Sequence, residues 1–416
     1  MPLVPLNEVR SYAERHISRA ALRIWPHRDV VLRAPVPGLD EHVQRVEAGD
    51  RVALAKYGLL GVPLVSVLRG SRGDWPTVRA AQAAYTVSPG SALEREAAQL
   101  RILGKHGIAV GRTAGYHHGV LFTEPVSGPT LTDVVFSDPG RTEDLLSQVL
   151  LSLAPLHDPG LAAEADGVAL PRRGAEGVFR RLVQQHPGAG ALERLVAPRL
   201  HPLVARGVAV ILSQVVERLR LKPVTALSAQ QVVYGDLTPE HVRWPDGARA
   251  APVLVAPALH RGHAHDDTAK LVSRLSLALF AVPPHTTLAD QVVQGLDALV
   301  RIQARRLGRS AGAVHLRHVL TTWLMDTVCV LISALSAPAE LELPDRLQYL
   351  VDHVEDLCVF LDRATAARVE AGHPEEAWEA MLLSVLKAAY TPGRTMVPAS
   401  APADTQLLWE ASLTHR

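Results

Sequence analysis

At 416 residues the chain is too long for one ordinary core and long enough for two lobes, each with its own apolar interior. Hydrophobic residues make up 48%, charged residues 20% and aromatics only 4%, so a helix-rich globular protein with a core of Leu, Val and Ala is expected. The formal net charge of +1, with acids and bases interspersed, lacks the basic footprint of a nucleic-acid binder.

The N-terminal stretch has no basic-then-apolar order of a signal peptide. Asn7 to Trp25 instead reads as an amphipathic helix with Val9, Tyr12, Ala13, Ala20 and Ile24 along one side. After Pro26 come three short β-prone runs, Val30 to Leu32, Val43 to Val46 and Val52 to Ala55, with turns at Pro37-Gly38 and Gly49-Asp50. Ser91 to Leu103 carries Leu93, Ala97, Leu100 and Leu103 at helical spacing, and Gly119 to Glu124 is a further strand ending at Pro125.

From Thr142 onward helical periodicity dominates. It covers Glu143 to His157, Leu192 to Leu221, Asp267 to Phe280, Leu288 to Leu307 and three further segments up to Tyr390, one of them starting at Pro374. Leu320 to Leu335, interrupted by Asp326, reads as a core helix too short to span a bilayer. The exception is Val232 to Leu259, where two apolar runs flank a polar loop. Cys329 and Cys358 lie on apolar helix faces and make no disulfide framework, which fits a reducing cytoplasm. Thr391 to Asp404 reads as a loose linker.

The segment Val232-Val-Tyr-Gly-Asp-Leu-Thr-Pro-Glu-His-Val-Arg-Trp244, then Pro252-Val-Leu-Val-Ala-Pro-Ala-Leu259 and His263-Ala-His-Asp-Asp-Thr-Ala-Lys-Leu271, resembles the catalytic and metal-binding segments of the aminoglycoside phosphotransferase-like kinases. The resemblance implies an α+β, protein-kinase-like two-lobed fold: an N-terminal helix over 1–28, a small lobe over 29–125, a helical lobe with the catalytic loop over 126–390 and a tail over 391–416. It implies ATP and Mg as cofactors, with Asp236 aligning the acceptor hydroxyl and taking its proton. His241 stands where the family has a metal-binding Asn and offers only nitrogen to a cation that prefers oxygen. Ala256 stands where the family has its second metal-binding Asp. Asp267 matches a structural Asp of the family, and Asp266 is the freer substitute ligand.

In the small lobe Lys56, at the end of an apolar strand, resembles the lysine that grips the α- and β-phosphates. Glu96 resembles its helix partner, with Glu94 the alternative if the helix phase differs. No glycine-rich phosphate loop is evident near Gly38 and Gly49. Backbone groups near Glu124 to Val126 match the connector that would hold adenine.

Two segments stand outside this pattern: the apolar insertion Tyr57 to Arg69, which either docks a partner or packs on its own lobe, and the basic run Pro171 to Arg181, which suits an acidic ligand or a solvated helix start. His260, His263 and His265 form a His-rich tract, read either as a surface loop or as a zinc site.

The lysine strand with Gly-Leu-Leu-Gly-Val-Pro-Leu-Val-Ser-Val-Leu-Arg-Gly also resembles phosphotransferase-like proteins of actinobacterial peptide natural-product clusters, of the class V lanthipeptide and thioviridamide types. That implies a peptide Ser or Thr as acceptor and a lyase as partner. The alternative is a catalytically degenerate kinase-fold subunit that presents a peptide, with Ala256 as the discriminating residue.

Overall fold

The structure is a computed structural model that describes residues 4–170, 174–221, 230–247, 250–282 and 285–390. The expected tail and linker, and Pro171 to Arg173 of the basic run, lie outside these residues.

Helix α1 (Leu6–Ile24) buries Val9, Ala13, Ile17, Ala20 and Ala21 against the small lobe, one face at helical spacing. Strands β1 (Val30–Val36), β2 (His42–Ala48) and β3 (Arg51–Tyr57) follow, in an antiparallel meander. The next elements are α2 (Leu64–Leu68), α3 (Trp75–Val87), α4 (Ala92–Lys105), β4 (Thr113–His117) and β5 (Val120–Thr123). They complete a five-stranded antiparallel sheet in the order β1-β2-β3-β5-β4. Alternate residues of β2 and β3 are buried, as a sheet covered on one face requires.

The apolar insertion packs on its own lobe: Leu64, Val65, Val67 and Leu68 are buried. It also ties two other parts together. Leu64 and Val65 donate their amides to the Asp40 and Leu39 carbonyls of the β1–β2 loop, and Arg69 Nη1 donates to Ser336 Oγ of the large lobe at 2.7 Å.

The large lobe begins with α5 (Leu131–Ser137), whose Thr130 and Asp133 form a reciprocal capping box. It continues through α6 (Thr142–Ser152), α7 (Pro159–Asp166), α8 (Ala175–Gln185), α9 (Ala189–Val196) and α10 (Pro202–Leu221). The run expected as one helix over Leu192 to Leu221 is therefore two, because Pro198 and Pro202 lack the amide hydrogens an unbroken helix needs there.

Four short strands, β6 (Gln231–Val233), β7 (Val242–Arg243), β8 (Val253–Leu254) and β9 (His260–Gly262), form two antiparallel ladders, β6 with β9 and β7 with β8. The rest is helical: α11 (Asp266–Phe280), α12 (Thr286–Arg306), α13 (Arg309–Leu335), α14 (Asp345–Asp352), α15 (Val354–Glu370) and α16 (Pro374–Ala389). The last four replace the three expected segments, since the helix is interrupted at His353, between Asp352 and Val354.

By length and composition α13 could cross a bilayer, but 94% of its most apolar window is buried inside the protein. It packs against α8, α11, α12 and α16, as the core helix of the large lobe. Cys329 on α13 and Cys358 on α15 are both buried free thiols, and burial pushes the Cys358 thiol up to about 12.

The connector between lobes is held by close backbone approach. Gly128 has φ +91, and a Cβ there would meet the Trp244 carbonyl, so only glycine fits. Trp244 N donates to Pro129 O at 3.1 Å, stitching the connector to the end of the loop that follows β6.

Candidate active site

Strand β3 places Lys56 at its inner end, and α4 turns Glu96 toward it on the same face as buried Leu93, Ala97 and Leu100. Lys56 Nζ donates to Glu96 Oε1 at 2.6 Å, with side chains 15% and 7% exposed. Burial opposes the lysine's charge most strongly, but Glu96, then Glu41, with Asp236 further down, outweigh it and raise its pKa. Glu94 is placed elsewhere: it accepts from the Gly90 amide at the start of α4.

Asp236 lies in the loop after β6. Two backbone amides before it, Tyr234 N and Gly235 N, donate to the buried Asp267 carboxylate at 2.8 Å each, which anchors the loop to the start of α11. Gly235 takes φ +84, and a Cβ there would meet the Ala258 carbonyl and the His260 ring.

Two neighbours occupy the Asp236 carboxylate. Lys270 of α11 brings Nζ to Oδ1 at 2.7 Å, and His241 brings Nδ1 to Oδ2 at 3.3 Å. Burial pushes this carboxyl up, but Lys270, His241 and Arg274 together overcome it and hold it well below the usual carboxylate range.

Behind Asp236 runs a buried charge network that sequence reasoning did not find. Lys270 Nζ also lies 3.9 Å from Asp326 of α13, and Arg274 binds both oxygens of Asp326 at 2.7 and 3.2 Å, while Ser273 Oγ donates to it at 2.9 Å. The available signal was a lone acid in the most apolar helix and two basic residues one helical turn apart on another.

Ala256, where the resemblance implies a carboxylate, has φ +56. The Val255 amide donates to the His241 carbonyl at 2.9 Å, so the β7–β8 ladder sets residue 256 beside His241. Asp266 does not fill the gap. It accepts from the His263 amide at 2.9 Å and sits 3.3 Å from His265, and burial pushes its carboxyl up to about 6.

Magnesium does not fit the residues present. The donors at the expected position are a methyl group, an imidazole and a carboxylate already engaged by Lys270, and among the described residues no group of three or more His, Cys, Asp or Glu could hold a metal ion.

The same finding removes the zinc reading of the His-rich tract. His260 turns its Nδ1 to the Ala258 carbonyl, whereas His263 and His265 stack at 5.3 Å and meet His315 and His318 of α13. Of the expected adenine contacts, the Glu124 amide already donates to the Arg112 carbonyl at 2.8 Å. The Val126 amide and carbonyl have no partner among the described residues. In the basic run, Arg180 pairs with Glu176 on its own helix.

The buried histidines carry a pH prediction. Burial, reinforced by the neighbouring rings, lowers the His265 pKa to about 2 and the His315 pKa to about 4. The unfolded chain protonates both near pH 6.5 while the folded one does not, so stability falls as pH drops below that value. Each ring should cost about 2 kcal/mol at pH 5 relative to pH 7, and raised Asp266 should return about 1 kcal/mol. Urea unfolding at the two pH values should show a net loss that the His265→Gln/His315→Gln double variant abolishes.

Fold and site together define a kinase-like two-lobed protein with a lysine–glutamate pair in the small lobe and an aspartate-bearing loop in the large one. Among solved structures it is similar to the GDP and kanamycin complex of APH(2")-IIia, with 13% identity over 83% of this chain and 98% of that one and a TM-score of 0.48. It is also similar to an ethanolamine kinase of Plasmodium vivax (12% identity, 81% and 84% covered, TM-score 0.43). A choline/ethanolamine kinase family protein of Mesorhizobium loti is a third (12% identity, 90% and 98% covered, TM-score 0.43). No family model and no curated protein matches the chain.

Proposed function

We propose that this chain is an ATP-dependent phosphotransferase that delivers the γ-phosphoryl group to a hydroxyl. The Lys56–Glu96 pair carries the proposal, because a largely buried lysine paired with a carboxylate between strand β3 and helix α4 is suited to bind phosphate oxygens. The free Val126 amide and carbonyl are suited to an adenine edge, and the loop around Asp236 to an acceptor hydroxyl. The resemblance of the lysine strand and its insertion makes a Ser or Thr of a precursor peptide the first acceptor to try, with a lyase as the enzyme that would eliminate the phosphate afterwards.

A second reading, a kinase-fold subunit that binds and presents a peptide, is favoured by one observation: Ala256 leaves the cleft without the second carboxylate. Both readings keep a nucleotide or phosphate site at Lys56.

Calorimetric titration with ATP tests this, with and without magnesium. Binding that changes little with the metal is expected, since the metal has few ligands here. Lys56→Met, combined with Glu96→Gln so that no buried charge is left alone, should weaken it about tenfold or more. No heat at millimolar ATP would overturn the phosphotransfer reading.

A further inference from the structure

We propose that His241, rather than Asp236, is the group that accepts the proton of the acceptor hydroxyl; the substrate in this statement rests on the phosphotransfer reading. The short turn Pro239–His241 points the imidazole back at the loop, where Nδ1 lies 3.0 Å from the Asp236 carbonyl and 3.3 Å from its Oδ2. Both facing atoms are acceptors, so Nδ1 carries the hydrogen and donates it. Nε2 is then the basic nitrogen of the ring. It has no partner among the described residues, and the side chain is 29% exposed.

Asp236 is poorly suited to the same task. One oxygen is held by the Lys270 ammonium and the other faces the imidazole. Held well below the ordinary carboxylate range, it is a weak proton acceptor in the Brønsted sense. Its geometry is that of an orienting carboxylate, which fixes the tautomer of the histidine and stabilises the imidazolium once formed. Lys270 is the positioning residue behind it, and residue 256, beside His241, contributes only a methyl group.

The step balances as follows. The acceptor hydroxyl gives its proton to His241 Nε2, its oxygen forms a bond to the γ-phosphorus, and the bond from that phosphorus to the β–γ bridging oxygen breaks. ADP leaves with the electron pair, and the imidazolium later returns its proton to solvent.

Two measurements on the full chain test the assignment. In protein carrying ¹⁵N-labelled histidine, the His241 signal, identified by its loss in His241→Gln, should report the Nδ1–H tautomer with a bare Nε2; an Nε2–H tautomer overturns the proposal.

In a phosphate-incorporation assay, His241→Ala should lose about a hundredfold or more in rate, with partial recovery on adding free imidazole. Asp236→Asn should lose less and should not respond to imidazole. Unchanged transfer by His241→Ala, or imidazole rescue confined to Asp236→Asn, overturns it as well. If no form of the protein binds ATP, the phosphotransfer reading fails, and the tautomer still decides whether Nε2 is the bare, basic nitrogen.

Discussion

Ala256→Asp is expected to raise phosphoryl transfer by about a hundredfold or more and to make it depend on magnesium, because one such electrostatic group is typically worth that much in rate. The backbone is already prepared for the change. Residue 256 sits at φ +56, a region that Asp and Asn enter several times more often than other non-glycine residues, and where alanine carries about 1 kcal/mol of strain. Ala256→Gly separates the two contributions: it should gain about 1 kcal/mol of stability with no gain in transfer. The assay compares the chain as it stands, Ala256→Asp, Ala256→Gly, and Ala256→Asp combined with Asp236→Asn, using candidate peptides. Transfer by the unaltered chain at ordinary kinase rates would mean that Lys56 and Lys270 supply enough positive charge without a second carboxylate. A restored form that binds several peptides and phosphorylates none would leave the peptide-presenting reading standing.

The parts of this architecture legible in the sequence are those written in local pattern. Lys56 was legible at the end of an apolar strand, where alternation puts it on the face opposite buried Ala53, Ala55 and Tyr57, and the 3.6-residue period of α4 separated Glu96 from Glu94 by about half a turn. The aspartate loop was located by the resemblance of Val232 to Trp244 to a known catalytic segment, whereas its anchoring by Asp267, more than thirty residues further along the chain, is a contact that only the fold makes. Strand β4, the four-residue-spaced turns of α3 and the capped helix α5 were not read. Thr113–His117 has one β-branched residue, a glycine at its centre and no alternation, and all five of its residues are half-buried at a sheet edge.

The charge network was illegible for a different reason. Asp326 read only as an interruption of an apolar helix, Lys270 and Arg274 drew no reading of their own, and only the packing of α11 against α13 brings the three together. The same holds for His241, whose role follows from the direction of one ring nitrogen, a property of the folded loop rather than of residue spacing.

Arg274→Met is expected to cost about 3–5 kcal/mol, more than Lys270→Met, because the two cations leave different charges behind. Asp326 is 4% exposed and takes its two short ionic hydrogen bonds from Arg274; without them it keeps only Ser273 and a lysine at 3.9 Å. Losing Lys270 instead leaves Asp326 with Arg274, and leaves Asp236, 36% exposed, with His241 and water, so roughly half that cost is expected. Removing both charges of a pair should recover stability: Arg274→Met/Asp326→Leu is expected to be more stable than Arg274→Met alone, measured by urea unfolding.

The pH dependence carries the same sign for both acids. Asp236 and Asp326 have lowered native pKa values, so their contribution is present above the unfolded value near pH 4 and is lost as pH falls below it. Lys270→Met lets the native pKa of Asp236 rise toward the unfolded one, and the acid limb of its stability curve should flatten. An unaltered acid limb in Lys270→Met, or an Arg274→Met protein as stable as the unsubstituted chain, would mean that Asp326 and Asp236 are hydrated and that the ion pairs behind the Asp236 loop do not hold it in place.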